Sequence, residues 1–260
     1  MNTYRDLHAV HYDLVYATKP YAEEAAYVAR HLERLGASAN GSEPTLLDLA
    51  CGTGRHASAF AKLGYTVTGV DWSEDLLAAA RRNAGAVGTE AHFVRQDMRS
   101  LELEGPGFAA VTCLFDSIGY PLDNEDVVAA LDGARRHLAA HGVVAVEFLH
   151  APAMLRHAAP VGVRRFATPA GGELVRISES TIDYAAQALR VAYELIELKP
   201  EGGFERSRET QHNRFFSLEE MRALMAAGGL AVESFVPAYG DDGVIDDRTW
   251  HVLAFATSAA

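Results

Sequence analysis

From Leu46 to Leu149 the chain alternates short apolar runs with helical stretches, at the spacing of strand, crossover helix and parallel strand. The runs at Thr45 to Ala50, Thr66 to Val70, Ala91 to Val94, Phe108 to Phe115 and Gly142 to Phe148 are apolar along their length rather than at every second position. Strands of that kind are covered on both faces, as in a parallel sheet between two helical layers. Helix punctuation agrees. A helix from Arg55 to Leu63 stops at Gly64, and Ser73 opens the next with Glu74 and Asp75 in its first turn. A third starts at Asp123 or Asn124 and ends before Gly142, with Glu125 and Asp126 early and Arg135, Arg136 and His137 late, in the order that the helix dipole favours. Ahead of the sheet, Tyr21 to Leu35 places Ala22, Ala25, Ala29 and Leu32 on one helical face.

The texture changes after Leu149. Pro152, Pro160, Pro169 and Gly171-Gly172 punctuate a region where ELVRISES and LRVAYELIEL run with period two, the signature of antiparallel strands. Ser217 then opens a helix with Glu220 three residues on, a capping box, and Gly228-Gly229 closes it. Strands at Ala231 to Pro237 and Trp250 to Ala256 follow. The expected fold class is α/β: a Rossmann-like doubly wound sheet with an antiparallel β insertion after strand five.

Composition excludes several functions. Asp and Glu number 35 against 23 Lys and Arg, a formal net charge of −12 that repels a phosphate backbone. The densest basic clusters are pairs, Arg81-Arg82, Arg135-Arg136 and Arg164-Arg165; the first two read as solvent-facing charges in final helical turns. Nucleic acid is not an expected partner. No apolar run approaches the roughly 20 residues that cross a bilayer, so no membrane is expected either. MNTYRDLHAVHYDL carries acids and histidines without an apolar core, which reads as neither a signal nor a transit peptide. Cys51 and Cys113 lie in apolar runs and read as reduced core thiols of a cytoplasmic protein.

In an open parallel sheet, ligands bind beyond the carboxyl ends of the strands. The first strand ends in LLDLACGTGRHA, which puts Gly52 and Gly54 in the turn before a helix N-terminus, where backbone can approach a ligand closely. GTGRHA satisfies a permissive dinucleotide fingerprint with Ala57 in the third glycine's place, a weak signal by itself. Two more strand ends strengthen it. Asp71, 17 residues after Gly54, can accept both hydroxyls of a ribose, and Asp97 in VRQDMRS can take an adenine amino hydrogen.

With these residues the chain resembles the class I S-adenosylmethionine-dependent methyltransferases, through DLACGTG, GVDWS, Asp97-Met98 and TCLFDSIGY. Within that family it resembles bacterial small-molecule enzymes, particularly the N,N-dimethyltransferases of nucleotide-linked aminosugars, through YDLVY, KPYAEEA and LFDSIGY. The resemblance implies S-adenosyl-L-methionine as cofactor. Asp48 would face its methionine portion, a place where dinucleotide enzymes seat a pyrophosphate. Ala50, Gly52 and Gly54 would touch the methionine and ribose, Asp71 would grip the ribose diol, and Trp72 would cover the adenine. Asp97 and Met98 would line the adenine pocket, Leu114 would lie under the cofactor, and Tyr16 and Tyr21 would stand near the sulfonium. One domain of residues 1–260 is expected, with a helical cap (1–40), a cofactor-binding core (41–150), a β insertion over the substrate site (151–214) and a C-terminal helix and strands (215–260).

Two residues are candidates for catalysis. Tyr120 falls where the aminosugar enzymes place a residue beside the acceptor, and the alternative is an aromatic wall against the third helix. His150 closes strand five at the same edge, as a base or as a structural imidazole. His212 in QHNRFF is a further candidate for substrate contact. His8 with His11, and His137 with His141, have helical spacing but lack the carboxylate or cysteine partners of a zinc site, so no metal is expected and these rings are read as solvent-facing. The expected reaction is methyl transfer to a small-molecule amine such as a nucleotide-linked aminosugar in secondary metabolism. The alternatives are O- or C-methylation of a phenolic or enolic metabolite, an NAD-dependent oxidoreductase, and a cofactor-binding regulator without turnover. Antiparallel insertions of this kind can pair subunits, so a homodimer is open.

Overall fold

A computed structural model describes residues 6–37, 44–157, 161–240 and 243–259. Its parallel core is built from β1 (Thr45–Leu49), β2 (Thr66–Asp71), β3 (Ala91–Arg95), β4 (Phe108–Cys113) and β5 (Leu138–His150). The crossover helices are α4 (Arg55–Lys62), α5 (Glu74–Val87) and α6 (Asn124–Arg136), after an N-terminal group of α1 (Asp6–Val10), α2 (Tyr12–Val15) and α3 (Tyr21–Arg34). After β5 come α7 (Ala151–His157), β6 (Val161–Ala167), β7 (Glu173–Asp183), β8 (Ala188–Leu198), β9 (Phe204–Phe216), α8 (Leu218–Ala227), β10 (Leu230–Pro237) and β11 (His251–Ser258). The core order is β3-β2-β1-β4-β5-β11-β10, with β11 antiparallel to both neighbours, so the strand order reverses between β1 and β4.

Neighbouring apolar residues serve opposite faces. Leu47 packs with Val111, Val146 and Leu131 of α6 and Met221 of α8, while Leu46 packs with Ala110, Ala145, Val28 of α3 and Phe60 of α4. Each of the larger side chains among them, Leu, Val, Met and Phe, stabilises the fold by roughly 1.5–3 kcal/mol. The two-sided burial is why these strands lack alternation, and nine consecutive residues at the end of β5 are buried. Helix starts follow the side-chain caps read above: Ser73 Oγ accepts from Leu76 N, and Ser217 Oγ accepts from Glu220 N.

The insertion is a four-stranded antiparallel meander, β6-β7-β8-β9. It joins the core because β5 outruns β4. β4 pairs with β5 only as far as Val146, and β9 takes the backbone beyond it, pairing Leu149 with Phe215 and His150 with Phe216.

Several boundaries differ from expectation, each for a backbone reason. β1 stops at Leu49 and β4 at Cys113 because Ala50, Phe115 and Asp116 have φ of 53°, 56° and 57°, which no strand accommodates. α7 has Pro152 in its first turn, where the missing N–H has no helical partner to lose, so a residue read as punctuation opens a helix. Three of the four histidines need correction, while His141 is exposed as expected. His8 is buried with Nδ1 2.7 Å from Glu209 Oε1 of β9, and His11 lies 3.4 Å from Glu197 of β8. His137 is also buried: Nδ1 donates to Gly133 O and Nε2 accepts from Leu103 N. These rings are interior fasteners between elements. Among the described residues, no helix is long and apolar enough to cross a membrane.

Candidate active site

The turn after β1 concentrates three left-handed residues, Ala50, Gly52 and Gly54, in five positions. At Gly54 (φ 70°) a β-carbon would also lie 2.9 Å from Ala80 Cβ and from the Phe93 ring, so both backbone and packing require glycine there. Ala50 adopts this region with a β-carbon, at a cost of about 1–2 kcal/mol, and backbone strain of that kind collects at functional sites.

Beyond the turn lies a cavity of about 330 Å³ at the carboxyl ends of β1 to β4. Of the residues singled out from the sequence, Tyr21, Asp48, Ala50, Gly52, Asp71, Trp72, Asp97, Met98, Leu114 and Tyr120 line it. Gly54 stands just behind, as the N-cap of α4.

The carboxylates are held differently. Asp71 Oδ2 accepts from Gly52 N and its Oδ1 from Ser73 N, both at 2.9 Å, which clamps the tip of β2 to the glycine turn. Burial pushes its carboxyl up against the pull of those two N–H groups. Asp48 is 2% exposed; its Oδ1 accepts from Thr112 Oγ1 at 2.8 Å, while Oδ2 has no hydrogen-bond partner. Burial pushes Asp48 up to about 7, with the Asp71 charge adding to the effect. Asp97 is gripped by Arg99, through its backbone N and a two-pronged guanidinium contact, and Arg99 reaches on to Asp126. Those donors hold the Asp97 carboxyl below its usual range.

Trp72 sits at the rim, 37% exposed. Tyr12, Tyr21, Phe115, Ser117 and Tyr120 also line the cavity. The Tyr21 hydroxyl is buried without a hydrogen-bond partner. Burial raises the Tyr12 and Tyr21 phenols well above their ordinary value, so both stay protonated.

Two expected residues lie elsewhere. Tyr16 sits one ring back from the cavity, 4.8 Å from Tyr12 and 5.2 Å from Phe115 between ring centroids. His150 is carried past the cavity because β5 extends beyond β4; its Nδ1 donates to Thr249 O and its backbone N to Trp250 O. Burial lowers its pKa and favours the neutral ring, in keeping with a structural imidazole. His212 pairs with Arg190 inside the inserted sheet and is not among the cavity's lining residues.

Other residues at the site were not singled out. Tyr12, one helical turn before Tyr16, is the tyrosine of YDLVY that reaches the cavity. Asp13 fastens the cap to the turn, accepting from Thr53 Oγ1 and from Asn83 Nδ2, both at 2.8 Å. Glu24 of α3 accepts from Lys19 Nζ and from His56 Nε2, and Lys19 stands 4.2 Å from the centroid of the Phe115 ring. Asp116, Glu147 and His251 meet next to Phe115, with one side-chain nitrogen or oxygen of each within 4.8 Å of the others, and each engages a neighbouring donor or acceptor. A lone carboxylate within the apolar run VVAVEFLH was the available signal for Glu147.

A family model described as a methyltransferase domain matches residues 46–142. Over 229 residues the chain is 35% identical to a dTDP-3-amino-3,6-dideoxy-alpha-D-glucopyranose N,N-dimethyltransferase of Streptomyces fradiae, covering 87% of this chain and 84% of that protein. The structure matches Streptomyces venezuelae DesVI with a TM-score of 0.78 and 28% identity, over 98% of this chain and 100% of that one. It shares its fold with an S-adenosylmethionine-dependent methyltransferase from Clostridium acetobutylicum, with a TM-score of 0.81 at 18% identity and all of both chains covered. By its glycine turn, its strand-tip carboxylates and these likenesses, the chain belongs to the class I S-adenosylmethionine-dependent methyltransferases.

Proposed function

We propose that the enzyme methylates the amino group of a nucleotide-linked aminosugar in secondary metabolism. The observation that carries this reading is the lining of the cavity: buried carboxylates at the tips of β1 and β2 share one space with Tyr12, Tyr21, Phe115 and Tyr120. The residues suit the cofactor, since Asp48 Oδ2 and the Tyr21 hydroxyl are buried polar atoms without a protein partner. Bound S-adenosylmethionine supplies an electrophilic methyl group: the acceptor nitrogen's lone pair forms the N–C bond while the pair of the breaking C–S bond stays on sulfur.

The chain's own work is mostly alignment, which can provide effective molarities of ~10⁵–10⁸ M. Asp71, fixed by two N–H groups, keeps acceptor capacity for a ribose diol. Asp48 presents Oδ2 to the ammonium of the methionine portion, with Ala50, Gly52 and Gly54 shaping the floor. Trp72, Asp97, Met98 and Leu114 enclose the base. Tyr21 and Tyr120 flank the reacting end, backed by Tyr16 through Tyr12 and Phe115.

The aminosugar acceptor rests on the Streptomyces fradiae relative, whose name specifies one. Calorimetric titration with S-adenosylmethionine and with NAD, followed by turnover on dTDP-3-amino-3,6-dideoxy-α-D-glucopyranose and on a panel of phenols, tests the reading. We expect cofactor binding without NAD binding, and methylation of the amine alone. Methylation confined to phenols would refute the acceptor, and cofactor binding with no turnover would make the protein a regulator.

The same reading places the enzyme in the cytoplasm, supported by the free thiols Cys51 and Cys113. It acts without nucleic acid, in keeping with the acidic charge. It pairs as a homodimer through β6, the outer strand of the insertion, where Val161 and Val163 are exposed. Sedimentation should give twice the chain mass, and Val163→Lys should return it to one.

A further inference from the structure

The methionine portion of S-adenosylmethionine carries an ammonium and a carboxylate on one carbon, and Asp48 suits the ammonium alone. The carboxylate has to be seated in a cavity that already holds Asp48, Asp71 and Asp97. Like charges in a space of low dielectric repel, so donors are needed to offset them.

Among the described lining residues, Arg55, His56 and Arg99 are the side chains able to carry positive charge. Arg99 is committed to Asp97 and Asp126, and His56 Nε2 lies 2.7 Å from Glu24 Oε2. Arg55 is held more loosely. Its Nη1 stands 3.8 Å from Asp13 Oδ1, longer than a hydrogen bond, and both Asp13 oxygens already accept from Thr53 and Asn83. The Arg55 side chain is 38% exposed, and its guanidinium lies over the Tyr21 ring, 5.1 Å from the centroid.

Further donors meet at the same corner. Tyr21 is 8% exposed and its hydroxyl has no hydrogen-bond partner, a costly state for a buried polar group. The Tyr21 ring packs edge-on against His56, with centroids 4.8 Å apart. α4 opens at Arg55 without a side-chain cap, because its N-cap is Gly54. The first bond of the helix runs from Ser58 N to Gly54 O, which leaves the N–H groups of Arg55, His56 and Ala57 without a helical partner. A guanidinium, a phenol and an uncapped helix start together make a site for an anion.

Asp48 decides which anion. Its Oδ2 is a buried acceptor without a partner in the same cavity. An orphaned acceptor and orphaned donors in one space complement a zwitterion, whereas a pyrophosphate would set its charge against Asp48. We propose that Arg55, the Tyr21 hydroxyl and the first turn of α4 bind the carboxylate of the cofactor's methionine portion, and that this contact selects a cofactor whose amino acid is intact. The inference rests on the placement of that portion at Asp48 and is independent of the acceptor. Arg55 supplies charge and a planar fork that matches a carboxylate, and its stacking on Tyr21 restricts how the fork turns. Tyr21 supplies a neutral donor, since burial keeps its phenol protonated.

Isothermal titration with S-adenosylmethionine and with its decarboxylated form tests the proposal, because the second ligand keeps the adenosine, the sulfonium and an ammonium. Wild-type enzyme should bind the intact cofactor at least about 10-fold more tightly, the worth of a charge-assisted hydrogen bond. Arg55→Gln should remove most of that preference by weakening the intact cofactor alone. Arg55→Lys should keep part of it, and Tyr21→Phe should lose a smaller share. Equal wild-type affinity for the two ligands would overturn the proposal, as would an Arg55→Gln protein that keeps the wild-type preference. Parallel losses for both ligands would overturn it as well, since they mark a structural role for Arg55. Asp48→Asn should weaken both ligands together, so the placement of the methionine portion is read separately from Arg55; no effect on either ligand would overturn the placement and the proposal with it. Should Arg55→Gln fail to fold, the wild-type preference and Tyr21→Phe decide, and a Tyr21→Phe protein with the full preference would overturn the site.

Discussion

Asp48→Asn will make the protein more stable above pH 7 and a much weaker binder of S-adenosylmethionine. The Asp48 carboxyl titrates near 7 in the folded chain, because burial penalises its charge, and near its ordinary 3.8 when unfolded. Between those values the folded state holds the extra proton, so stability falls as pH rises through this window, and the loss is complete above about 7. Asparagine has a similar shape and keeps an acceptor for Thr112 Oγ1, but carries no charge. At about 1.4 kcal/mol per pKa unit, the gain is on the order of a few kcal/mol, or roughly 5–10 °C in Tm for a domain of this size.

The cofactor's ammonium would meet Asp48 Oδ2, so the variant should lose at least about 10-fold in affinity, a charge-assisted hydrogen bond in a buried site. Wild-type affinity should rise as pH passes through 7 and the carboxylate forms, and the variant should lack that rise. Scanning calorimetry and isothermal titration read the two halves separately. A variant with wild-type cofactor affinity would remove Asp48 from the binding site.

The second large effect is expected at Gly119→Ala, next to Tyr120. A β-carbon there would lie 1.8 Å from Asn213 Oδ1 and 2.7 Å from the Arg214 carbonyl oxygen, both on β9. Asn213 also donates to Asp116 O, so its side chain cannot swing aside without breaking the link between the insertion and the turn after β4. The backbone of β9 must move, and overpacking of this kind costs about 1–3 kcal/mol. Displacement by about 1 Å at a reacting centre can cost about 10² in rate. Cofactor affinity should remain near wild type, because Asp48 and Asp71 sit on β1 and β2 and Gly52 in the turn after β1, away from the clash. Turnover on the dTDP-aminosugar should fall by about that factor. Unchanged turnover would mean that the insertion does not help to position the acceptor.

The expected and observed positions diverge in an instructive way. Asp71 and the glycine turn were legible because each follows from its own neighbours: a strand's last residue, a left-handed backbone, a helix N-terminus. Tyr12 and Tyr16 could not be separated from sequence, since one helical turn puts both on the same face and only the fit against Phe115 assigns the inner place. His150 was misplaced because its location depends on how far β5 outruns β4, which the strand's composition does not record. The buried histidines were misread for a related reason: His8 finds Glu209 across 201 residues.

By itself the sequence determined the parallel core, the order of helices and strands, the glycine turn and its flanking carboxylates. These are set within short windows by side-chain periodicity and by the backbone regions each residue tolerates. Only the tertiary structure decided which tyrosine faces the cavity and that Asp116 meets His251 across 135 positions. That meeting depends on β4, β5 and β11 lying side by side in a fixed register, and strand adjacency arises from packing the whole sheet rather than from any one segment.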